Sequence, residues 1–217
     1  IGLLSSISIL ALAACAQAPA SSEGSESGES AAVESSVETS STKDSKSDDA
    51  SKKNVVVLTS FLYDMAKQVA GDTVNLEMII PAGEDPHLYV AKPEDYTKIE
   101  KADLVVYHGL HFEGKMVDVL EKVGVAVSAD FPKDKIGVMD EDGDQIVDPH
   151  FWFDISLYKM AVDKMAESLS ELVPENKEMY MKNAQDYKLK LDELDSYIKG
   201  RVEEIPEGTR YLITPHD

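Results

Sequence analysis

Chemistry in this chain concentrates at its histidines. Five occur, at positions 87, 108, 111, 150 and 216, and three sit directly behind a proline: Asp85-Pro86-His87, Asp148-Pro149-His150 and Pro215-His216-Asp217. Proline fixes φ and stops a helix from continuing, so these imidazoles are displayed on loops. Three imidazoles with a carboxylate suit Zn²⁺, Mn²⁺ or Fe²⁺. Asp85, Asp148 and Asp217 are placed to accept the second ring N–H of a histidine and orient it. Taken one at a time, each histidine is more simply a surface or packed side chain; the shared Pro-His context is what argues for one site. His108 and His111 flank a Gly-Leu turn and read as supporting or surface residues, and Trp152 and Phe153 read as packing around His150.

A frame must bring such loops together. Val55 to Leu58 is a continuous apolar run, the pattern of a strand covered on both faces. Ser60 can cap a helix through about Ala70, with Phe61, Met65 and Val69 at helical spacing and Gly71 as its stop. Val74 to Ile80 reads as a second strand, Lys92-Pro93-Glu94 opens a helix, and Asp103 to Tyr107 is a third strand. A helix over Glu113 to Val123 and a strand over Val125 to Val127 follow, then a loop over 129–149. Alternation of strands and helices implies a parallel α/β sheet with right-handed crossovers. His87 and His216 each follow a strand, and the carboxyl ends of parallel strands line the crevice where α/β proteins bind ligands.

A helix over Ile155 to Leu172 ends at Pro174, and a longer one begins there. Its apolar stripe runs through Tyr180, Ala184, Tyr187, Leu191, Leu194, Ile198, Val202 and Ile205. At ~1.5 Å per residue, a helix of ~30 residues is about 45 Å long, enough to cross a whole lobe. A coiled coil is the alternative, but no partner of matching length lies nearby in the sequence. Tyr211 to Thr214 starts one more strand, and a strand with nothing after it cannot make a sheet. The expectation is a fragment: one α/β lobe, a linking helix, and the first strand of a second lobe.

Composition narrows the function classes. Residues 1–18 carry no charge, and 19–53 hold twelve serines, eight acids and four lysines with hardly any large apolar side chain. Such a stretch buries too little to offset the entropy of ordering. Of the net charge of −20, −16 remains on residues 54–217. An acidic body of this kind repels nucleic acid and anionic lipid and concentrates cations. One cysteine excludes a disulfide framework. Ile1 to Ala14 is shorter than the ~20 apolar residues of a membrane span and reads as the apolar region of a secretory signal. Leu12-Ala13-Ala14-Cys15 resembles the bacterial lipobox, which makes Cys15 the expected lipidation site; a buried cysteine at a helix end is the alternative. The domain map is therefore a signal remnant (1–15), a tether (16–53) reaching roughly 30–35 Å, an N-terminal lobe (54–173), a linking helix (174–208) and the start of a second lobe (209–217).

The same residues carry a family resemblance over 54–217. Pro81, Gly83, Asp85, Pro86, His87 and Tyr89, with Pro93 and Asp95 behind them, fit the pattern P-x-G-x-D-P-H-x-Y…x-P-x-D. Asp148 to Asp154 fits D-P-H-x-W-x-D, and Thr214 to Asp217 fits the start of T-x-H-D-A-F. With Thr59 to Asp64 and Gly109 to Glu113, the chain resembles the TroA-like substrate-binding lipoproteins of zinc and manganese ABC importers. The resemblance implies a bilobed, monomeric receptor with a rigid linking helix. It also implies Zn²⁺ or Mn²⁺ as transported ligand, an ABC permease as partner, and a lipid anchor on the extracytoplasmic face of the membrane. By motif, the metal ligands are His87, His150 and His216; the family's fourth, a carboxylate, lies outside this chain. Asp85, Asp148, Asp217 and His111 would stand behind them.

Zinc receptors of this family often carry a histidine-rich insert before the second D-P-H, whereas the segment here is acidic. His216 in place of Glu argues equally against a strictly manganese form. Asp140, Glu141, Asp142 and Asp144 loosely suggest a calcium loop, but its terminal Glu position is Phe151. Two other classes stay open: a surface adhesin with a structural metal, and a zinc hydrolase. No HExxH is present and no glutamate accompanies a His pair in the matched motifs, so the expectation is a binding protein rather than an enzyme.

Overall fold

In the computed structural model, residues 51–141 and 143–213 are described. The apolar leader, Cys15, nearly all of the tether, Thr214, His216 and Asp217 lie outside them. Four parallel strands, β1 (Asn54–Val57), β2 (Asn75–Met78), β3 (Leu104–Tyr107) and β4 (Val125–Ala126), form a sheet in the order β2-β1-β3-β4. Val57 at the end of β1 is in register with Met78 on one side and Val106 on the other.

The apolar run of β1 is explained by burial on both faces. Val55 and Val57 pack with Val106 into a core shared with helices α1 (Ser60–Ala70), α4 (Ile155–Leu172) and α5 (Lys177–Glu203). Val56 and Leu58 point the other way, joining Val105 and Tyr107 over Ile99 of α2 (Pro93–Lys101) and Leu120 of α3 (Val117–Val123). Each such side chain contributes ~1.5–3 kcal/mol by leaving water. No described helix is long and apolar enough to cross a membrane.

Several expectations shift. The second strand is shorter than Val74–Ile80, although Ile79 and Ile80 still donate backbone N–H bonds to Val57 and Leu58. Thr59, not Ser60, is the N-cap of α1, and Phe61 is 41% exposed instead of facing the core. The helix expected from Glu113 opens as a 3₁₀ turn, Gly114–Met116, before α3. The 129–149 loop contains an antiparallel hairpin, β5 (Val138–Glu141) and β6 (Asp144–Val147). Its turn is closed by Asp140 accepting the N–H of Gly143, whose φ of +92° is the left-handed region open to glycine.

Helix α5 spans 27 residues. Its stripe is covered only in the first half. Tyr180, Ala184 and Leu191 are buried, while Leu194, Ile198, Val202 and Ile205 are 42–47% exposed. The covered half is tied down by polar bonds: Tyr180 to Thr73 at 2.8 Å, Asn183 to the carbonyl of Val69 at 2.9 Å, and the Tyr187 hydroxyl to Asp64 at 2.9 Å. Burial, reinforced by Tyr158 and Asp64, pushes the Tyr187 phenol well above its ordinary value. Tyr211, Leu212 and Ile213 form no strand and are 83–92% exposed, because no described strand lies beside them to pair with.

Candidate metal centre

Both Asp-Pro-His motifs fold into the same local device. Asp85 Oδ1 accepts the backbone N–H of His87 at 2.9 Å, and Asp148 Oδ1 accepts that of His150 at 2.9 Å. Each is an Asx turn in which the carboxylate bonds two residues on, with proline holding the residue between. In the second motif Asp148 Oδ1 also meets His150 Nδ1 at 2.7 Å. A carboxylate only accepts, so Nδ1 carries the proton and Nε2 becomes the electron-pair donor.

The loop bearing His87 is fastened at its far end. Tyr89 donates to Asp95 Oδ2 at 2.8 Å, and the same oxygen caps α2 by accepting the N–H of Lys92 at 2.8 Å. Burial, with the Asp95 carboxylate adding to it, pushes the Tyr89 phenol up to about 12. The loop bearing His150 is fastened by Asp154, which caps α4 through the N–H groups of Ser156 and Leu157. Hydrogen bonds from Ser156 hold the Asp154 carboxyl below its ordinary value.

These two anchored loops bring His87 Nε2 and His150 Nε2 to 3.3 Å across 63 residues of sequence. Two nitrogens each bound at 2.0–2.1 Å to a tetrahedral Zn²⁺ are about 3.3–3.4 Å apart. The pair therefore already has the spacing of two metal ligands. Aromatic rings hold both imidazoles. Phe112 meets His87 edge-on at 4.8 Å and His150 at 6.0 Å, and Trp152 meets His150 at 5.3 Å. Phe61, which lies off the core face of α1, stacks on Trp152 at 4.7 Å. Phe153, by contrast, is 84% exposed and does not pack around His150 as expected.

A cavity of 810 Å³ beside the pair is lined by Asp85, Leu88, His111, Met139 and Ile146. His111 is exposed on its rim. Among the described residues no group of three or more His, Cys, Asp or Glu is placed to hold a metal, so His111 does not join the pair. His108 is neither surface nor ligand. It is 1% exposed, and its ring Nδ1 lies 3.1 Å from Glu113, itself fully buried. Glu113 was within a motif of the resemblance, yet nothing local marks its side chain as turned inward.

A pair of imidazoles at the carboxyl edge of a four-stranded parallel sheet, backed by one long helix, has the form of one lobe of a substrate-binding protein. The chain belongs to the family of the periplasmic component A of the zinc-uptake complex, whose pattern matches residues 55–217. Manganese-binding lipoprotein MntA of Bacillus subtilis is 39% identical over 168 residues, 75% of this chain and 54% of that protein. Zinc-binding protein TroA of Treponema pallidum is 35% identical over 171 residues, 76% of this chain and 54% of that protein. A solved TroA structure described for its metal-binding specificity has a TM-score of 0.75 at 57% identity, covering 77% of this chain and 60% of that one. The chain spans about half the length of the curated relatives it matches.

Proposed function

We propose that this chain is part of an extracytoplasmic lipoprotein that captures a divalent transition metal, Zn²⁺ or Mn²⁺, and delivers it to an ABC permease. The observation that carries the reading is the 3.3 Å approach of His87 Nε2 and His150 Nε2. In it these two imidazoles are the first ligands, His216 is the third, and a carboxylate from further along the protein is the fourth. The domain map of lipobox, tether, N-terminal lobe, linking helix and second lobe belongs to the same proposal, as do a lipid on Cys15 and a monomeric state. The protein binds and releases its cargo without chemical conversion, in keeping with relatives named as binding proteins. Zinc wins on intrinsic affinity whichever metal is physiological.

The mechanism follows from the donors. Hydrated metal enters the cavity beside the pair, exchanges water for two pre-spaced imidazoles, and is enclosed as the remaining ligands close over it. The test is calorimetry with Zn²⁺ and Mn²⁺ on the full-length protein. His87→Ala and His150→Ala should each abolish tight binding, and unchanged affinity in both would remove the pair from the site.

A further inference from the structure

Nothing described so far uses the buried pair His108–Glu113. Glu113 is 0% exposed and His108 1%. One carboxylate oxygen, Oε1, accepts the backbone N–H of His108 at 2.6 Å and faces its ring Nδ1 at 3.1 Å. The other, Oε2, is buried with no hydrogen-bond partner. A half-satisfied buried carboxylate costs ~1–3 kcal/mol or more. The turn it closes is also costly. Gly109, Leu110 and His111 take φ of +82°, +56° and +61°, and Leu110 and His111 are the two non-glycine residues with positive φ among those described. Each such residue costs ~1–2 kcal/mol. Strain of this kind persists only where the surroundings over-determine it, and it clusters at functional sites.

What this turn presents is the metal pair. Phe112, next to Glu113, puts its ring against both imidazoles. Gly114, on the other side, sits so close to His87 that a Cβ there would lie 2.2 Å from the His87 carbonyl oxygen. His108 in turn packs under Phe112 at 4.6 Å and Trp152 at 5.5 Å. One carboxylate thus grips the start of a turn whose end is wedged against the backbone and ring of His87.

We propose that Glu113, acting through His108, is a positioning residue for the metal pair: it clamps the strained 109–114 turn so that Phe112 and Gly114 fix His87 opposite His150. Glu113 is not a ligand. The inference rests on the metal-capture reading, and its test separates the two. In the full-length protein, Glu113→Gln keeps the shape and removes the charge that holds two donors on one oxygen. Outer-shell supports of metal ligands are typically worth 10–100-fold in affinity. The expected result is a loss of at least about tenfold in Zn²⁺ and Mn²⁺ affinity by chelator competition, with shifted visible bands for bound Co²⁺. Wild-type affinity and Co²⁺ bands, with only a lowered apo Tm, would make the pair a stability element and overturn the proposal.

If Glu113→Gln does not fold, Gly114→Ala and Gly71→Ala read the same coupling. Both glycines have positive φ, but a Cβ at Gly71 meets open space. Affinity lost in Gly114→Ala and kept in Gly71→Ala supports the clamp; equal affinities overturn it. Wild-type protein without tight binding defeats the capture reading, whereas His87→Ala with unchanged binding removes His87 from the site and overturns the clamp alone.

Discussion

Replacing Asp148 by Asn isolates the orientation of one imidazole from its presence. Asp148 Oδ1 receives both the backbone N–H of His150 at 2.9 Å and its ring Nδ1–H at 2.7 Å. Asparagine keeps the shape and the accepting oxygen, and the backbone bond from the Asp148 N–H to the Gly137 carbonyl is untouched. Only the charge is lost. A hydrogen bond to a charged group is worth ~1.5–3 kcal/mol net against ~1 for a neutral one. The ring bond is the one that strengthens when a cation draws electrons from Nε2, so the loss falls mainly on the metal-bound state. A deficit of ~1.4–2.7 kcal/mol, or 10–100-fold in affinity, is expected. Chelator competition with the full-length protein measures the affinity, and thermal denaturation of the metal-depleted protein should stay within a few degrees of wild type. Affinity within twofold of wild type would refute the claim that Asp148 orients the imidazole.

Other perturbations read the anchors of the two loops. Tyr89→Phe removes the hydroxyl that bonds Asp95 and should cost ~1–2 kcal/mol, seen as a fall in Tm of roughly 2–8 °C. The tyrosine also sets an alkaline limit. Its phenol is raised to about 12 in the fold against ~10 unfolded, so between these values the folded state keeps a proton the unfolded chain has released. Stability contributed by Tyr89 is therefore present below pH ~10 and is lost as pH rises toward 12, and denaturant titrations across that window should show a smaller loss in Tyr89→Phe. Asp154→Ala removes the cap of α4 and should cost ~1 kcal/mol. Because the Asp154 carboxyl is held low by Ser156, its contribution is present above ~3.9 and disappears as pH falls through the folded value. The gap between wild type and variant should close in acid, and a gap that persists there would deny the cap its charge.

Local patterns were legible where a residue's neighbours in sequence decide its fate. Proline stops a helix, so the display of His87 and His150 on loops could be read directly, while the turns closed by Asp85 and Asp148 came from the structure. The four-stranded sheet was legible for a related reason: a strand covered on both faces needs an unbroken apolar run, and Val55 to Leu58 supplies one. The hairpin was not, because one strand of it reads Val-Met-Asp-Glu and the other Asp-Gln-Ile-Val, short, acidic and mostly exposed, with little alternation to see. Phe61 has the helical spacing of a core residue, yet it stacks on Trp152 and stays 41% exposed.

The stripe on α5 marks one helix face correctly, yet spacing alone does not tell which half is covered; α4 and α1 reach only the first. Sequence by itself determined which imidazoles stand on loops behind a proline, since that depends on short-range sterics. Tertiary structure decided that His87 and His150 meet at 3.3 Å and that Glu113 lies buried against His108. Distances between residues far apart in the chain are set by how sheet and helices pack around two cores, and that packing is a property of the whole fold.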